Sequence, residues 1–379
     1  MTDIFKAPER LLMGPGPSNT SAAVLAATAQ PTIGHLDPDF QRMMEEVKDL
    51  MRYAMQTENP VTFPISAPAS LAMEAGLVNL LEPGDTAIIA QNGVFGGRMA
   101  DIVERCGAKC VLVETDWGKP IDLDKVAETI KAHPEAKLLG FVHAETSTGA
   151  ESDAAALCQM AQEAGILTLM DTVTGLGGVP VRVDDWGVDI TYSGTQKCLS
   201  VPPGLAPFSV SQRAIEAVQA RTTKVQSWFT DLNLVLGYWS GGGGARSYHH
   251  TAPVNALYGM HEGLRLLKEE GLEAAWERHA RCHRRLAVGL QGLGLEFVVD
   301  APHRLPQLNS VWVPEGVDDA TVRGTLLNEH GIEVGAGLGP FAGQVWRIGL
   351  MGDTAREDNV DRLLSALSVV LGRGLKAAE

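Results

Sequence analysis

Residues 166–200, ILTLMDTVTGLGGVPVRVDDWGVDITYSGTQKCLS, carry the clearest structural signal in the chain. It begins with the apolar run Ile166–Met170, which has the length and composition of a buried strand and is followed by the acid Asp171. A second short strand, Ile190–Ser193, leads through Gly-Thr-Gln into Lys197. Two strands of one α/β sheet would place Asp171 and Lys197 at the same edge, which is where open α/β sheets bind ligands.

An acid and a lysine at such an edge suit a pyridoxal phosphate (PLP) site. There the lysine amine binds the cofactor aldehyde, and the carboxylate pairs with the pyridinium nitrogen so that the ring can accept electrons. Either residue alone is more often a solvated loop residue, a turn former or a helix cap. Their order, with the glycine-rich Gly175–Gly178 between them, favours catalytic roles for Asp171 and Lys197.

The pattern D-x-V…S-G-T-Q-K resembles the class V aminotransferases of PLP fold type I, most closely the alanine/serine–glyoxylate aminotransferase group, and the likeness extends over nearly the whole chain. The resemblance implies an α/β fold, with a large domain built on a mainly parallel sheet flanked by helices and a smaller C-terminal α/β domain. We expect an N-terminal arm at 1–20, the large PLP-binding domain at 21–254 and the small domain at 255–379. The implied partners are amino acid and 2-oxo acid substrates and a second copy of the chain.

Composition sets limits that agree with this expectation. A chain of 379 residues exceeds what one core usually serves, and 45% hydrophobic with 20% charged residues is ordinary for globular proteins. The net charge of -15 argues against nucleic acid and anionic membranes as partners, although not against an anionic substrate. Five scattered cysteines, with no signal-peptide-like or membrane-spanning apolar segment, favour a reduced, cytosolic protein. Neither the cysteines nor the adjacent His249 and His250 show metal-ligand spacing, so we expect no metal site.

Strand and helix patterns alternate from about residue 60 to 200, which is typical of a mainly parallel sheet. The further strands predicted there are 61–65, 86–91, 109–113 and 137–143, followed by 207–210, and the helices are 71–81, 121–133 and 151–165. A long amphipathic helix from about Asn255 leads into the smaller domain. Its predicted strands are 296–299, 309–313 and 345–349, and its predicted helices are 272–290 and 320–329.

The turn Ser66-Ala67-Pro68-Ala69-Ser70 joins a predicted strand to a predicted helix. The amino end of such a helix offers free N–H groups and a positive dipole end to a phosphate. The resembled family usually has S-G-T-G-S here, whereas in this chain both glycines are alanine and the threonine is a proline without an N–H. We therefore expect a differently built phosphate cup, with Ser66, Ala69 and Ser70 as its donors.

The resemblance assigns further cofactor contacts. Phe95, in the predicted turn 92–96, would stack on the ring, although it could be an ordinary core residue. Thr146 would lie beside the phenolic oxygen, although hydroxyl-rich turns such as 143–149 are commonly only turns or caps. The remaining contacts are Val173 below the ring, Gln196 at the phosphate, and Tyr248 and Thr251, whose hydroxyls would bind the phosphate of the neighbouring subunit in a homodimer.

Two features concern the substrate. Arg347 interrupts an apolar strand, where a structural salt bridge is the simpler explanation, but the resemblance makes it the clamp on the substrate α-carboxylate. The segment containing Gly16 would lie across the active site and bind the same carboxylate through backbone groups. Gly175 stands where many relatives carry a hydroxyl, which would remove one carboxylate contact. No second arginine is clearly placed to clamp a side-chain carboxylate, for which Arg98 and His35 are only candidates, so alanine or serine is favoured over aspartate.

The expected reaction moves an amino group from alanine or serine to glyoxylate or a similar 2-oxo acid. The alternative is a pyridoxamine–pyruvate aminotransferase acting on unphosphorylated vitamin B6, which the altered turn favours and the hydroxyls of Tyr248 and Thr251 disfavour. A cysteine desulfurase would need a nucleophilic cysteine on a mobile loop, and the glycine-rich loop Gly241–Gly244 has none. A further alternative is an interaction protein of this fold that binds no cofactor. It would be favoured only if Lys197→Ala behaved identically to wild type.

Overall fold

A computed structural model describes residues 3–239 and 246–374, so the predicted loop Gly241–Gly244 lies outside the described residues. The strands are β1 Leu11–Leu12, β2 Val61–Ile65, β3 Thr86–Gln91, β4 Lys109–Glu114, β5 Leu138–Val142, β6 Ala144–Glu145, β7 Ala150–Glu151, β8 Leu167–Asp171, β9 Ile190–Tyr192, β10 Ala206–Val210, β11 Leu308–Trp312, β12 Ile332–Glu333, β13 Gly335–Ala336 and β14 Val345–Gly349. The helices are α1 Ala22–Thr28, α2 Pro38–Met55, α3 Ala69–Leu80, α4 Val94–Arg105, α5 Leu123–Ala132, α6 Ala154–Glu163, α7 Val183–Trp186, α8 Gln212–Gln219, α9 Leu232–Trp239, α10 Val254–Glu270, α11 Leu272–Gly292, α12 Asp319–Glu329 and α13 Glu357–Leu371.

Seven strands form the main sheet in the order β2-β10-β9-β8-β5-β3-β4. The pairs from β9 to β4 are parallel, and β10 runs antiparallel to both of its neighbours, β9 and β2. Strands β5 and β8 are buried along their whole length, as expected for apolar strands in the middle of a parallel sheet with helices packed against it. The predicted α/β fold with a mainly parallel sheet is confirmed.

A second, antiparallel sheet has the order β11-β14-β13 and packs with α11, α12 and α13. Its hydrophobic core is separate from that of the main sheet, and it also contains Leu11 and Met13 from the beginning of the chain. Strand β1 pairs in parallel with β12 in a separate two-stranded sheet, and the N–H of Gly349 at the end of β14 donates to the carbonyl of Met13 at 2.8 Å, which attaches the N-terminal arm to this part of the chain. The core of the main sheet continues through α10 to Ala275. The domain boundaries at 20/21 and 254/255 stay predictions.

Two local predictions are wrong. The predicted strand 296–299 is only an isolated bridge between Phe297 and Val311, because the chain turns into a 3-10 helix at Ala301–His303 after two hydrogen bonds to β11. The predicted turn 92–96 ends early, because α4 begins at Val94 and places Phe95 in its first turn.

Candidate active site

Asp171 and Lys197 reach one cavity from neighbouring strands. Asp171 is the last residue of β8, and Lys197 follows the end of β9, with β8 and β9 pairing in parallel. Asp171 is 3% exposed and Lys197 is 9% exposed. Two ionisable side chains are rarely buried together without a role, because burial disfavours their charged forms.

The cavity holds about 160 Å³ and is lined by Pro68, Ala69, Ser70, Met73, Phe95, Arg98, Thr146, Asp171, Val173, Tyr192, Gln196 and Lys197. Most of the residues predicted to contact a cofactor therefore lie around one space. Arg347 and Gly16 adjoin it through contacts described below. Ser66, Tyr248 and Thr251 lie outside it.

The altered β2–α3 turn keeps an intact helix N-terminus. Pro68 is the residue that precedes the first helical residue, Ala69, so its missing N–H is not one of those that α3 presents. Among the described non-glycine residues, only Gln56 and Ser200 have positive φ. Ala67 and Ala69 therefore have backbone conformations that any residue can adopt, and the turn does not require glycine at these two positions.

The opposite wall is the beginning of α4. Gly93 precedes this helix, and a Cβ on Gly93 would overlap the side chains of Glu145 and Ser147. Phe95 follows in the first turn, and the Cζ of Arg98 lies 4.9 Å from the centroid of the Phe95 ring. An Nη1–H of Arg98 donates a 2.9 Å hydrogen bond to Ser70 Oγ in α3, which joins the two helix ends across the cavity.

The N-terminal arm closes the cavity at Lys197. The Nζ of Lys197 donates to the carbonyl of Pro15, and a Cβ on Gly16 would stand 2.7 Å from that Nζ. Ser18 fixes the lysine backbone, since its Oγ donates to the carbonyl of Lys197 at 2.7 Å and its N–H donates to the carbonyl of Gln196 at 2.8 Å. The Gly16 segment, predicted to lie across the active site, thus contacts Lys197, and its binding of the substrate carboxylate stays a prediction.

Arg347 projects from the second sheet toward the same site. Its Nε–H donates to the carbonyl of Ala336 at 2.7 Å and an Nη1–H donates to the carbonyl of Thr146 at 3.2 Å. Its side chain is 7% exposed, and none of the salt bridges between described residues involves it. Burial lowers the pKa of Arg347 to about 10, opposed by the nearby Glu145. A guanidinium held by carbonyls alone retains N–H groups for an anionic ligand.

Opposing effects set the pKa of the Asp171 carboxyl. Burial raises the pKa of Asp171 to about 6, while hydrogen bonds from Val173 N–H and Tyr192 O–H, each 2.8 Å, oppose that rise. Nearby Lys197 and Arg98 also favour the carboxylate. A cationic ring nitrogen beside Asp171 would lower this pKa further, because an opposite charge favours the ionised form.

The surroundings of Lys197 favour its neutral amine more than water does. Burial first, and then the positive charge of Arg347, lower the pKa of Lys197 to about 8, whereas Asp171 and Cys198 oppose the shift. A lysine near this value is mainly ammonium at pH 7 and about half nucleophilic, proton-accepting amine at pH 8, far more than a solvated lysine offers.

Two functional residues were not identified from the sequence. Tyr192 lies opposite Asp171 in the β8–β9 register, a signal available only once these strands are known to be parallel neighbours. Glu145 is fully buried, and its Oε1 accepts from the N–H of Ser147 at 3.0 Å and the Oγ–H of Ser147 at 2.5 Å. Burial raises the pKa of Glu145 to about 7. Ser147 Oγ also accepts from Val94 N–H at 3.0 Å, so Glu145 links the Thr146 turn to the first turn of α4.

The segment 248–251 lies outside the cavity of its own chain. Tyr248 is 66% exposed and Thr251 is also exposed. His250, between them, points inward and shares a 2.8 Å hydrogen bond between its Nε2 and Ser66 Oγ. The segment is thus anchored to the β2–α3 turn while its two hydroxyl residues face outward.

No group of three or more metal-ligating side chains occurs in residues 3–239 and 246–374. Across the same residues, every helix is too short or too polar to cross a membrane.

The comparisons with known proteins agree with the geometry. A family model described as Aminotransferase class-V matches residues 15–363. An alanine–glyoxylate aminotransferase of Callithrix jacchus is 41% identical over 365 residues, which cover 96% of this chain and 88% of that protein. The crystal structure of an alanine–glyoxylate aminotransferase from Nostoc sp. has a TM-score of 0.95 at 46% identity, covering 98% of this chain and 97% of that chain. A pyridoxamine–pyruvate aminotransferase from Mesorhizobium loti has a TM-score of 0.92 at 27% identity, covering 97% of this chain and 94% of that chain. The resemblance stated from the sequence is confirmed, and the chain belongs to the class-V aminotransferase family.

Proposed function

We propose that this chain is a pyridoxal phosphate-dependent aminotransferase that moves an amino group from a small amino acid, alanine or serine, to glyoxylate or a similar 2-oxo acid. The observation that carries the proposal is the burial of Lys197 and Asp171 on one cavity, with an amine of lowered pKa facing an acid held by two hydrogen bonds. The reaction named for the relatives from Callithrix jacchus and Nostoc sp. supports glyoxylate as the acceptor.

The residues present fit the cofactor. The Nζ of Lys197 would hold its aldehyde carbon, and Asp171 would pair with its ring nitrogen. Phe95 and Val173 would contact the ring, Thr146 its phenolic oxygen, and the amino end of α3 its phosphate, with Gln196 nearby. Bound PLP supplies an electron sink that stabilises negative charge at the substrate Cα.

The remaining chemistry belongs to side chains of this chain. Arg347 binds the substrate α-carboxylate through a guanidinium already oriented by two carbonyls. The Nζ of Lys197 takes the proton from the substrate Cα, for which its lowered pKa suits it. The carbonyl of Pro15 orients that Nζ, and the arm at Gly16 excludes water from it.

We further propose a homodimer with shared active sites and a cytosolic location. The outward hydroxyls of Tyr248 and Thr251 support the dimer, since neither residue lines the cavity that holds Lys197 of the same chain. All five cysteines lie in the described residues and none forms a disulfide, which supports a reducing compartment.

The experiment that tests the proposal is a visible absorbance spectrum of the dialysed protein, taken before and after adding L-alanine and then glyoxylate. A yellow band that bleaches with alanine and returns with glyoxylate is expected, and Lys197→Ala should lack both responses. A colourless protein that gains the band only with pyridoxal would instead indicate the unphosphorylated vitamin B6 reaction. A protein that responds to neither cofactor form would contradict the proposal.

A further inference from the structure

Arg98 is a cation without an assigned task. It lines the same cavity as Lys197, and these two are the cations among the described residues that line it. None of the salt bridges between described residues involves Arg98, whereas Arg105 on the same helix pairs with Asp101 at 2.7 Å. A guanidinium that faces a cavity without a carboxylate partner offers its N–H groups to an anionic ligand.

The position of Arg98 indicates which anion this is. Its Nη1–H donates to Ser70 Oγ at 2.9 Å, and Ser70 is the second residue of α3. The guanidinium therefore lies beside the free N–H groups at the amino end of that helix, where the dipole also favours negative charge. A guanidinium and a helix N-terminus converging on one point suit a phosphate dianion.

A substrate carboxylate is the competing ligand, and it has another cation. Arg347 is held by the carbonyls of Ala336 and Thr146, on a different wall from α3. Arg98 is instead packed 4.9 Å from the Phe95 ring centroid and tied to the α3 end. The two arginines are thus held by different parts of the chain, as separate anchors for cofactor phosphate and substrate carboxylate.

We propose that Arg98 binds the phosphate group of PLP, supplementing the N–H groups of Ala69 and Ser70 in a turn where Pro68 contributes none. This inference rests on the proposed function, because it requires PLP to be the cofactor. It reassigns Arg98 from the side-chain carboxylate role for which the sequence made it a candidate.

The test compares two ligands that differ only in the phosphate. Cofactor-free protein is titrated with PLP and with pyridoxal, and dissociation constants are read from tryptophan fluorescence. Arg98→Gln is expected to weaken PLP binding about tenfold or more, the usual size for a charged hydrogen bond, and pyridoxal binding less than about twofold. Arg98→Lys should lie between wild type and Gln, because it keeps the charge but loses the planar fork.

Three further measurements separate the explanations. Arg105→Gln, an exposed arginine of the same helix, should leave both constants unchanged. Ser70→Ala, which releases the guanidinium, should weaken PLP alone and by less than Arg98→Gln. Inorganic phosphate should compete with PLP in wild type and less effectively in Arg98→Gln.

Equal weakening of PLP and pyridoxal would overturn the inference, because Arg98 would then act only through Phe95. If Arg98→Gln bound PLP as wild type does but had a raised KM for aspartate relative to alanine, the inference would also be overturned. Arg98 would then bind a substrate carboxylate. A wild-type protein that binds neither ligand would contradict the proposed function itself, a result distinguishable from either of these.

Discussion

The hydroxyl of Tyr192 donates a 2.8 Å hydrogen bond to Oδ2 of Asp171, and the two residues are paired in register across β8 and β9. The hydrogen bond favours the carboxylate, so its removal should raise the pKa of Asp171 above about 6. Binding of PLP to the cofactor-free protein needs the carboxylate and should therefore weaken as pH falls through this pKa. In Tyr192→Phe that weakening should shift to higher pH by about one unit.

The measurement for Tyr192→Phe is a set of PLP titrations between pH 5 and pH 8, by tryptophan fluorescence, on wild type and variant. Tyr258→Phe is the matched control, because the Tyr258 hydroxyl bonds to the carbonyl of Pro31 outside the cavity. Superimposable pH profiles for all three proteins would show that the hydroxyl does not tune Asp171.

Lys197 should react with the cofactor aldehyde at an unusually low pH. Only the neutral amine attacks a carbonyl, so the rate should rise with pH and reach half its maximum near pH 8, the pKa of this lysine. Because the charge of Arg347 lowers this pKa, Arg347→Met should move the midpoint upward. Stopped-flow absorbance at several pH values measures the midpoint in wild type and in Arg347→Met. A midpoint near that of a solvated lysine in wild type would refute the assignment.

Gly16 should tolerate no side chain. Gly16→Ala combines a positive φ of 103° with a Cβ 2.7 Å from Lys197 Nζ, and we expect a loss in kcat/KM of about a hundredfold, because small misplacements of a reacting group are costly. Gly204→Ala is the matched control, since Gly204 has φ of 129° but no heavy atom within 4 Å of an added Cβ. A similar loss in both variants would assign the effect to backbone strain rather than to contact with Lys197.

Glu145 should make stability depend on pH. Burial raises its pKa from 4.5 to about 7, so the folded protein holds this proton more tightly than the unfolded chain does. The resulting stabilisation is complete below pH 4.5 and is lost as pH rises through 7, amounting to about 3 kcal/mol in the free energy of unfolding. Glu145→Gln has no carboxyl at this position and should lack this pH-dependent stabilisation.

Urea unfolding of the cofactor-free wild type and of Glu145→Gln, at pH 4.5 and pH 8, measures this difference. Asp171 is present in both proteins, so its own titration largely cancels. Glu145→Ala should cost a further ~2 kcal/mol at both pH values, because it leaves the N–H and hydroxyl of Ser147 without an acceptor. Parallel pH dependence in wild type and Glu145→Gln would contradict the elevated pKa.

Shared active sites should be visible by mixing two inactive proteins. If Tyr248 serves the neighbouring subunit, a heterodimer of Lys197→Ala and Tyr248→Ala chains has one site with both residues intact. Subunit exchange between equal amounts should restore about a quarter of wild-type activity. Mixing Lys197→Ala with Asp171→Asn, whose residues line the same cavity of one chain, should restore nothing. No recovery in the first mixture would place Tyr248 outside the neighbouring site.

The parallel sheet and the pair Asp171 and Lys197 were predictable, because apolar strands and the residues that follow them can be recognised from the local sequence pattern. Glu145 was not, because an acid in a hydroxyl-rich turn ordinarily faces solvent, and its burial depends on α4 packing over it through Gly93. The failed strand at 296–299 had suitable residues, but the turn at Ala301–His303 ended its pairing after a single bridge. The residues that end this strand follow it in the chain, so the apolar pattern of 296–299 alone did not show how short its pairing is.

The pairing of β1 with β12 has a consequence for the order of biosynthesis. Strand β1 at Leu11–Leu12 leaves the ribosome well before its partner, Ile332–Glu333. Domains fold as they emerge, so the main sheet with Asp171 and Lys197 is complete before β1 can pair with β12. In a chain truncated before residue 332, Pro15 and Gly16 would be held over Lys197 by the hydrogen bonds of Ser18 without the β1–β12 pairing, so the reactive lysine would be less firmly covered.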